Sequence, residues 1–464
     1  MSHQDPSLLR SARDAAAHAP PGRLHQVLGI TFGIAVAVGN GVAAGILRAP
    51  GEVAGYLPYA GLFLGVWFAG GLYAFISSMQ LAELGAMVPR SGGQYVFARR
   101  AIGPFAGFVV GWSDWLSTCG TISAISIVIG EYLADLFPHL LGFKARIAIV
   151  VTVLFALLQW RGIKWGERAQ EITSLLKGLV FAVVVAGCFV LGGKTSIAAS
   201  AVVAPPMSLA VAVILALQAV IYTYDGWNGP IYFSEEMKHP GREIPRALFG
   251  SVFSMMAIYL MVNLALVYIL PVSRIAGDNF ALGTAAAIFL GPTGKNLVLG
   301  LMVVSLLSAV NANTLMATRV LFAVSRDGLV NRHAARVNPG GTPTIALVAG
   351  TVVAIAFIAT GTFEAVAEML AYFFVANYTI SFTSLFVLRR REPQTPRPYR
   401  AWGYPWSTGL VLLGSVAFLV SGVVADLKDT SATRHYSIYA LALLILSYPA
   451  YRLLRREGYE REAG

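Results

Sequence analysis

The sequence predicts an all-α polytopic membrane protein with 12 transmembrane helices, and three observations carry that prediction. Of 464 residues, 56% are hydrophobic and only 12% charged, whereas a soluble domain is nearer a quarter charged. Apolar runs of about 18 or more residues, enough to cross a hydrocarbon core of ~30 Å, recur along the whole chain. The basic residues between them are spread unevenly. With the N-terminus inside, 24 of the 34 Lys and Arg fall on the cytoplasmic side, seven outside, and three (Arg48, Lys177, Arg319) within helices. This is the positive-inside pattern. A strand-built barrel would instead alternate in polarity over segments of about ten residues, which the sequence does not do.

Taken in order, the runs are 27–58, 61–86, 104–136, 145–161, 170–193, 208–236, 246–271, 296–324, 343–361, 364–388, 405–425 and 436–454. Residues 1–26 are polar and Ala/Pro-rich, with Arg10, Arg13 and Arg23. No short apolar core with a cleavage site precedes the first run, so they read as a disordered cytosolic tail rather than a signal peptide. Helices 1–5 then occupy about 27–193 and helices 6–10 about 208–388, within a core of 27–400. Helices 11 and 12 and a short cytosolic C-terminus fill 401–464. Both termini are expected in the cytoplasm.

The net charge of +11 sits in loop clusters such as "LRRRE" (388–392) and "RLLRRE" (452–457). Anionic lipid explains such clusters, and no nucleic-acid role is needed. The two cysteines, Cys119 and Cys188, lie within runs and imply no disulfide framework. All seven histidines fall in tails, loops or helix ends, so no metal, cofactor or catalytic constellation is expected at membrane depth.

Two runs are interrupted at their centres. The first contains "VGNGVAAGILRAP" (38–50) and the sixth "YTYDGWNGP" (222–230). Unwound backbone inside hydrocarbon costs several kcal/mol per unpaired group unless it lines a cavity or is buried in protein. Interruptions in the first and sixth helices are what two inverted five-helix repeats would place at corresponding positions, with a solute site between them. A broken helix offers free N–H groups to an anion and free carbonyls to a cation, and a zwitterionic amino acid carries both charges. Its carboxylate is expected on the amides around Ala43, Ala44 and Gly45. Its ammonium is expected on carbonyls of Gly41, Val42 and Tyr222 to Asp225, with Asn40, Thr223, Tyr224, Gly226 and Trp227 around it. Close helix packing or a simple kink is the bland alternative for these glycines.

At these residues the chain resembles the amino acid–polyamine–organocation transporter superfamily, closest to its L-type amino acid transporter branch. "AAGIL" (43–47) with Pro50 stands where that family has "GSGIF…P", and 222–245 matches its aromatic-x-Tyr-x-Gly-Trp-Asn core and trailing "EEMK-P-R-IP". Further matches are 82–112, 162–177 and 305–328. The resemblance implies the LeuT-like five-plus-five inverted repeat plus two C-terminal helices, and alternating access about a site between helices 1, 3, 6, 8 and 10. It implies that Tyr222 closes over the substrate and that Trp227 packs beside the unwound turn. Asn311 is placed near the site, with interhelical bonding as the alternative. Some relatives join a heavy chain through a cysteine after the third helix. The corresponding loop, about 134–146, has none, so no disulfide-linked partner is expected; the protein would be a monomer or homodimer.

Lys177 costs about 3 kcal/mol or more at mid-helix unless paired. By resemblance it places its ammonium where sodium sits in sodium-dependent relatives, bridging to the first helix and to Ser305 or Ser308. Snorkelling to the cytoplasmic interface is the other reading. Arg48 has Glu52 as its obvious helical partner, or else meets incoming carboxylates. Asp114 and Asp225 either face the cavity, favouring a cationic substrate, or pair with a neighbour. Asn377 and Tyr372 are weaker cavity residues. The expected function is sodium-independent transport of neutral or cationic L-amino acids in the cell (inner) membrane, by exchange, facilitation or proton coupling. The alternatives are an amine or polyamine transporter of the same fold and a non-transporting sensor; an enzyme is not expected.

Overall fold

The computed structural model describes residues 24–43, 45–191, 207–360, 363–428 and 436–460. Nearly all of the expected N-terminal tail, and Ala44, lie outside them. The described chain is all-helical. The first run is split into α1 (Ile30–Gly41) and α2 (Gly45–Tyr56), which meet at 49°. Next come α3 (Ala60–Met87), α4 (Gln94–Ala101), α5 (Pro104–Leu136), α6 (Lys144–Trp160), α7 (Ile163–Leu191) and α8 (Leu209–Tyr224). The second half holds α9 (Pro240–Ile269), α10 (Ala281–Arg326), α11 (Thr344–Thr360), α12 (Phe363–Arg391), α13 (Trp406–Lys428) and α14 (Tyr436–Glu460).

Local chemistry accounts for several of these boundaries. Pro104 opens α5, where its missing N–H and fixed φ suit the first turn. The Ser208 hydroxyl accepts from the Val211 amide and caps α8.

By length and hydropathy, eight helices among the described residues are able to cross a bilayer, or nine if the bent α1–α2 pair is one span. Thr344–Thr360, Phe363–Arg391 and the apolar stretch Ile438–Pro449 cover the remaining three expected runs. The third run, 104–136, coincides with α5. Other ends differ because hydropathy detects the apolar part of a helix and not its polar extension. Thus α7 begins at Ile163, ahead of the expected 170, and carries Lys164 and Arg168 on its added turns. The short basic helix α4 was too polar to register, and α10 has an extra N-terminal arm before its kink at Gly291.

The helices are not equally buried. The apolar windows of α5 and α10 are 72% and 67% buried, against 17% for α13. α5 and α10 pack on each other and form the centre. α7 lies against α10 and α1, α9 against α3 and α1, and α12 against α5. At one end of this bundle Asp327, just past α10, accepts from the Tyr95 hydroxyl at 2.8 Å and pairs with Arg90 and Arg99.

Candidate functional site

The two interrupted runs meet at their breaks. α1 stops at Gly41 and α2 starts at Gly45, so the first amides of α2 have no intrahelical acceptor. α8 stops at Tyr224, residues 225–228 are not helical, and a 3-10 turn resumes over Gly229–Phe233. Gly226 has φ +109°, and a Cβ there would lie 2.8 Å from the Gly41 amide nitrogen and 2.9 Å from Asn40 Nδ2. The two unwound turns therefore touch, and only glycine fits between them. At Gly39 a Cβ would fall 1.9 Å from Gln170 Nε2, so α1 and α7 also approach as closely as a side-chain-free position allows.

The freed carbonyls of the first turn are held by protein donors. Lys177 is fully buried on α7, and its ammonium donates to Gly39 O at 2.8 Å and Val42 O at 2.6 Å. The Ser305 hydroxyl donates to the same Val42 carbonyl at 3.1 Å. Lys177 does not snorkel. Ser308 takes a different place, one turn deeper, where it meets Gln170 Nε2 at 3.0 Å and the Ser174 hydroxyl at 3.1 Å. Gln170 and Ser174 both donate to Ala35 O, which fastens α1 to α7 below the break.

Tyr259 on α9 joins the two turns. Its hydroxyl lies 2.8 Å from Gly41 O and 3.0 Å from Thr223 O, one donor before two converging acceptors. Sequence reasoning missed it, because an aromatic in an apolar helix carries no polarity signal. Asn313 was missed as well. Its amide donates to Asn40 Oδ1 at 2.6 Å, and it stands two positions from Asn311 in the same "NAN" triplet.

Asn311 itself is committed elsewhere. It donates to Gly166 O and Gln170 Oε1 and accepts from Gln159, all bonds between helices. That geometry favours the interhelical reading over substrate contact.

Around the second turn, Trp227 stacks on Tyr378 of α12 with ring centroids 5.4 Å apart and planes 11° apart. The Tyr378 hydroxyl donates to Asp225 Oδ1 at 2.6 Å. Tyr222, 41% exposed, lines a mostly apolar cavity of about 620 Å³ together with Asp225, Trp227, Tyr378 and residues of α3 and α13. Tyr224 is buried, with its hydroxyl on Trp67 O. Asp114 on α5 is buried and accepts from the Tyr232 hydroxyl at 2.8 Å.

Three other polar groups have partners that the sequence did not reveal. Arg48 leans across to Glu131 of α5 at 3.6 Å rather than along its own helix to Glu52, which bonds to Tyr56. Arg319 forms a bidentate pair with Glu236, both atom pairs at 2.9 Å and both side chains fully buried. Asn377 accepts from Ser113, while Tyr372 packs with Leu370, Phe373 and Ala440 in a separate apolar cluster. Both cysteines are buried, and no metal-ligand cluster occurs among the described residues.

Paired helix breaks, with a lysine on the freed carbonyls, are accompanied by a match over residues 24–447 to the model of the amino acid permease family. The chain belongs to that family. It is a membrane transporter and not an enzyme. The serine/threonine exchanger SteT of Bacillus subtilis is 26% identical over 415 residues, which cover 88% of this chain and 94% of that one. The human large neutral amino acids transporter small subunit 2 is 26% identical over 392 residues, 81% of this chain and 72% of that one. The human b(0,+)-type amino acid transporter 1 is 24% identical over 387 residues, 81% and 79% of the two chains.

Proposed function

We propose that this permease is a sodium-independent secondary transporter of L-amino acids that works by alternating access. In this reading the core of 27–400 is a five-plus-five inverted repeat, with helices 11 and 12 appended in 401–464. The observation that carries it is the Lys177 ammonium seated on Gly39 O and Val42 O. A fixed cation there satisfies carbonyls that would otherwise recruit a metal ion, so the fold needs no sodium to hold α1 against α7.

The substrate carboxylate would lie on the first amides of α2, where the helix N-terminus favours an anion. The ammonium would lie between the turns of α1 and α8, close to Gly41 O, Thr223 O and Tyr224 O, in competition with the Tyr259 hydroxyl. Asn40, Ala43, Gly45 and Gly226 shape the backbone surface, and Tyr222 and Trp227 close its side. The termini would face the cytoplasm in a cell (inner) membrane. The names of SteT and the two human relatives support amino acids as the solute class, and that of SteT supports exchange as the mode.

The test is uptake into liposomes holding the purified chain, with labelled L-serine, L-leucine, L-arginine and putrescine, in sodium and in choline buffer. Equal amino-acid uptake in the two buffers, stimulated by internal substrate, is the expected result. Uptake only in sodium would end the sodium-independent reading, and uptake of putrescine alone would favour the amine alternative.

A further inference from the structure

Asp114 and Asp225 belong to one buried polar seam that the transport reading leaves without a task. Asp114 is 1% exposed on the central helix α5. Its Oδ1 accepts from Tyr232, but its Oδ2 has no hydrogen-bond partner among the described residues. A second orphan lies on the same seam. Asn377 of α12, which accepts from Ser113 next to Asp114, has an unpartnered buried Nδ2. Asp225 is bonded to Tyr378 and lines the 620 Å³ cavity. The groups acting on the two carboxylates are Tyr232 from the segment after the break and the Asp225 charge on Asp114, and Tyr378 from α12 and the Gly226 amide on Asp225. Tyr222 and Tyr259 face Asp225 from α8 and α9. No lysine, arginine or histidine among the described residues pairs with either.

Two ionised carboxylates in this setting would leave two charges uncompensated at membrane depth, at several kcal/mol each. Phenols and one amide are weak compensation. We propose that Asp114 is the resting place of a transported proton, reached from the cavity past Asp225 and Tyr378 at the carboxylate oxygen that Tyr232 does not hold. The proton arrives from water on one side and forms an O–H bond at Asp114 Oδ2. That bond breaks when the seam opens to the other side, and the proton returns to water there. The seam is suited to this because Asp114 sits on the central α5 while Tyr232 sits on the segment after the α8 break. A change in the break therefore alters the single donor that holds the carboxylate.

This inference rests on the transport reading and specifies its coupling ion. It is tested in liposomes carrying the full chain with a pH-sensitive dye inside, using the same four solutes. In the wild type, adding the transported solute outside acidifies the lumen. Uptake falls about tenfold per pH unit above its midpoint, as for one titrating group. Asp114→Asn abolishes the acidification and flattens the pH profile. Solute uptake without lumenal acidification overturns the proton site while leaving transport standing, as does acidification that survives in Asp114→Asn. No uptake of any solute sinks the transport reading and the proton with it. Should Asp114→Asn fail to fold, Tyr232→Phe decides. It removes the one donor to the carboxylate and moves the profile's midpoint to higher pH; an unmoved midpoint overturns the proposal.

Discussion

Two cations lie fully buried within membrane-spanning helices, Lys177 on α7 and Arg319 on α10, and their surroundings differ in kind. Arg319 meets a carboxylate, Glu236, through two parallel bonds and packs over the Phe233 ring. Among the described residues Lys177 donates to no carboxylate, only to main-chain carbonyls of a broken helix. A charge matched by a charge is a structural tie. A charge held by dipoles alone is tied to the conformation that exposes those dipoles.

The largest effect that separates the two is on folding. Glu236→Gln leaves Arg319 buried without its anion and costs about 3–5 kcal/mol, read as a loss of thermal stability in detergent. The double change Arg319→Met with Glu236→Leu restores near-wild-type stability, because apolar packing replaces a buried pair well. If the double variant is as unstable as the single one, the pair does more than neutralise itself.

Next is Lys177→Ala. Ser305 still donates to the Val42 carbonyl it leaves, so the folded protein survives while uptake falls by about 100-fold or more, worth ~2.7 kcal/mol. Wild-type kinetics in this variant would erase the distinction between the two cations. Tyr259→Phe tests the same turn more gently. Losing the hydroxyl between Gly41 O and Thr223 O lowers uptake about tenfold, near 1.4 kcal/mol, with thermal stability little changed.

The smallest effect is at the surface. Hydrogen bonds from Arg100 hold the Glu392 carboxyl below its ordinary value of 4.5. A depressed carboxylate stabilises the fold above that ordinary value and ceases to as pH falls through its lowered one. Arg100→Ala therefore lowers stability at neutral pH by less than about 1 kcal/mol, and the gap to wild type closes on acidification. Melting curves of both proteins across acid pH read it directly.

What the sequence reveals follows from the period and polarity of each feature. The breaks at 39–45 and 225–230 were legible, because glycine, proline and asparagine are conspicuous inside apolar runs. Lys177 stood out for the same reason, and it lies on Gly39 O and Val42 O of the first run. Tyr259, Tyr232 and Tyr378 were not legible, since a tyrosine among leucines looks like core until its hydroxyl is located. Partners were the hardest to read. Arg319 was visible as a charge in a span, but Glu236 lies 83 positions away, and Arg48 passes over the helical neighbour that spacing alone would assign. The basic α4 escaped because no hydropathy signal marks a polar helix, and the kinked arm of α10, apolar before Gly291, because it is too short to read as a span.

The start of the first span and the end of the sixth are laced together by two main-chain bonds, Leu28 N to Glu236 O at 3.0 Å and Lys238 N to Leu28 O at 3.3 Å. Neither end can swing away from the other without snapping that lace. Any step that parts the two runs at this point thus begins as one shared rupture, and a displacement of either run is carried to the other through it.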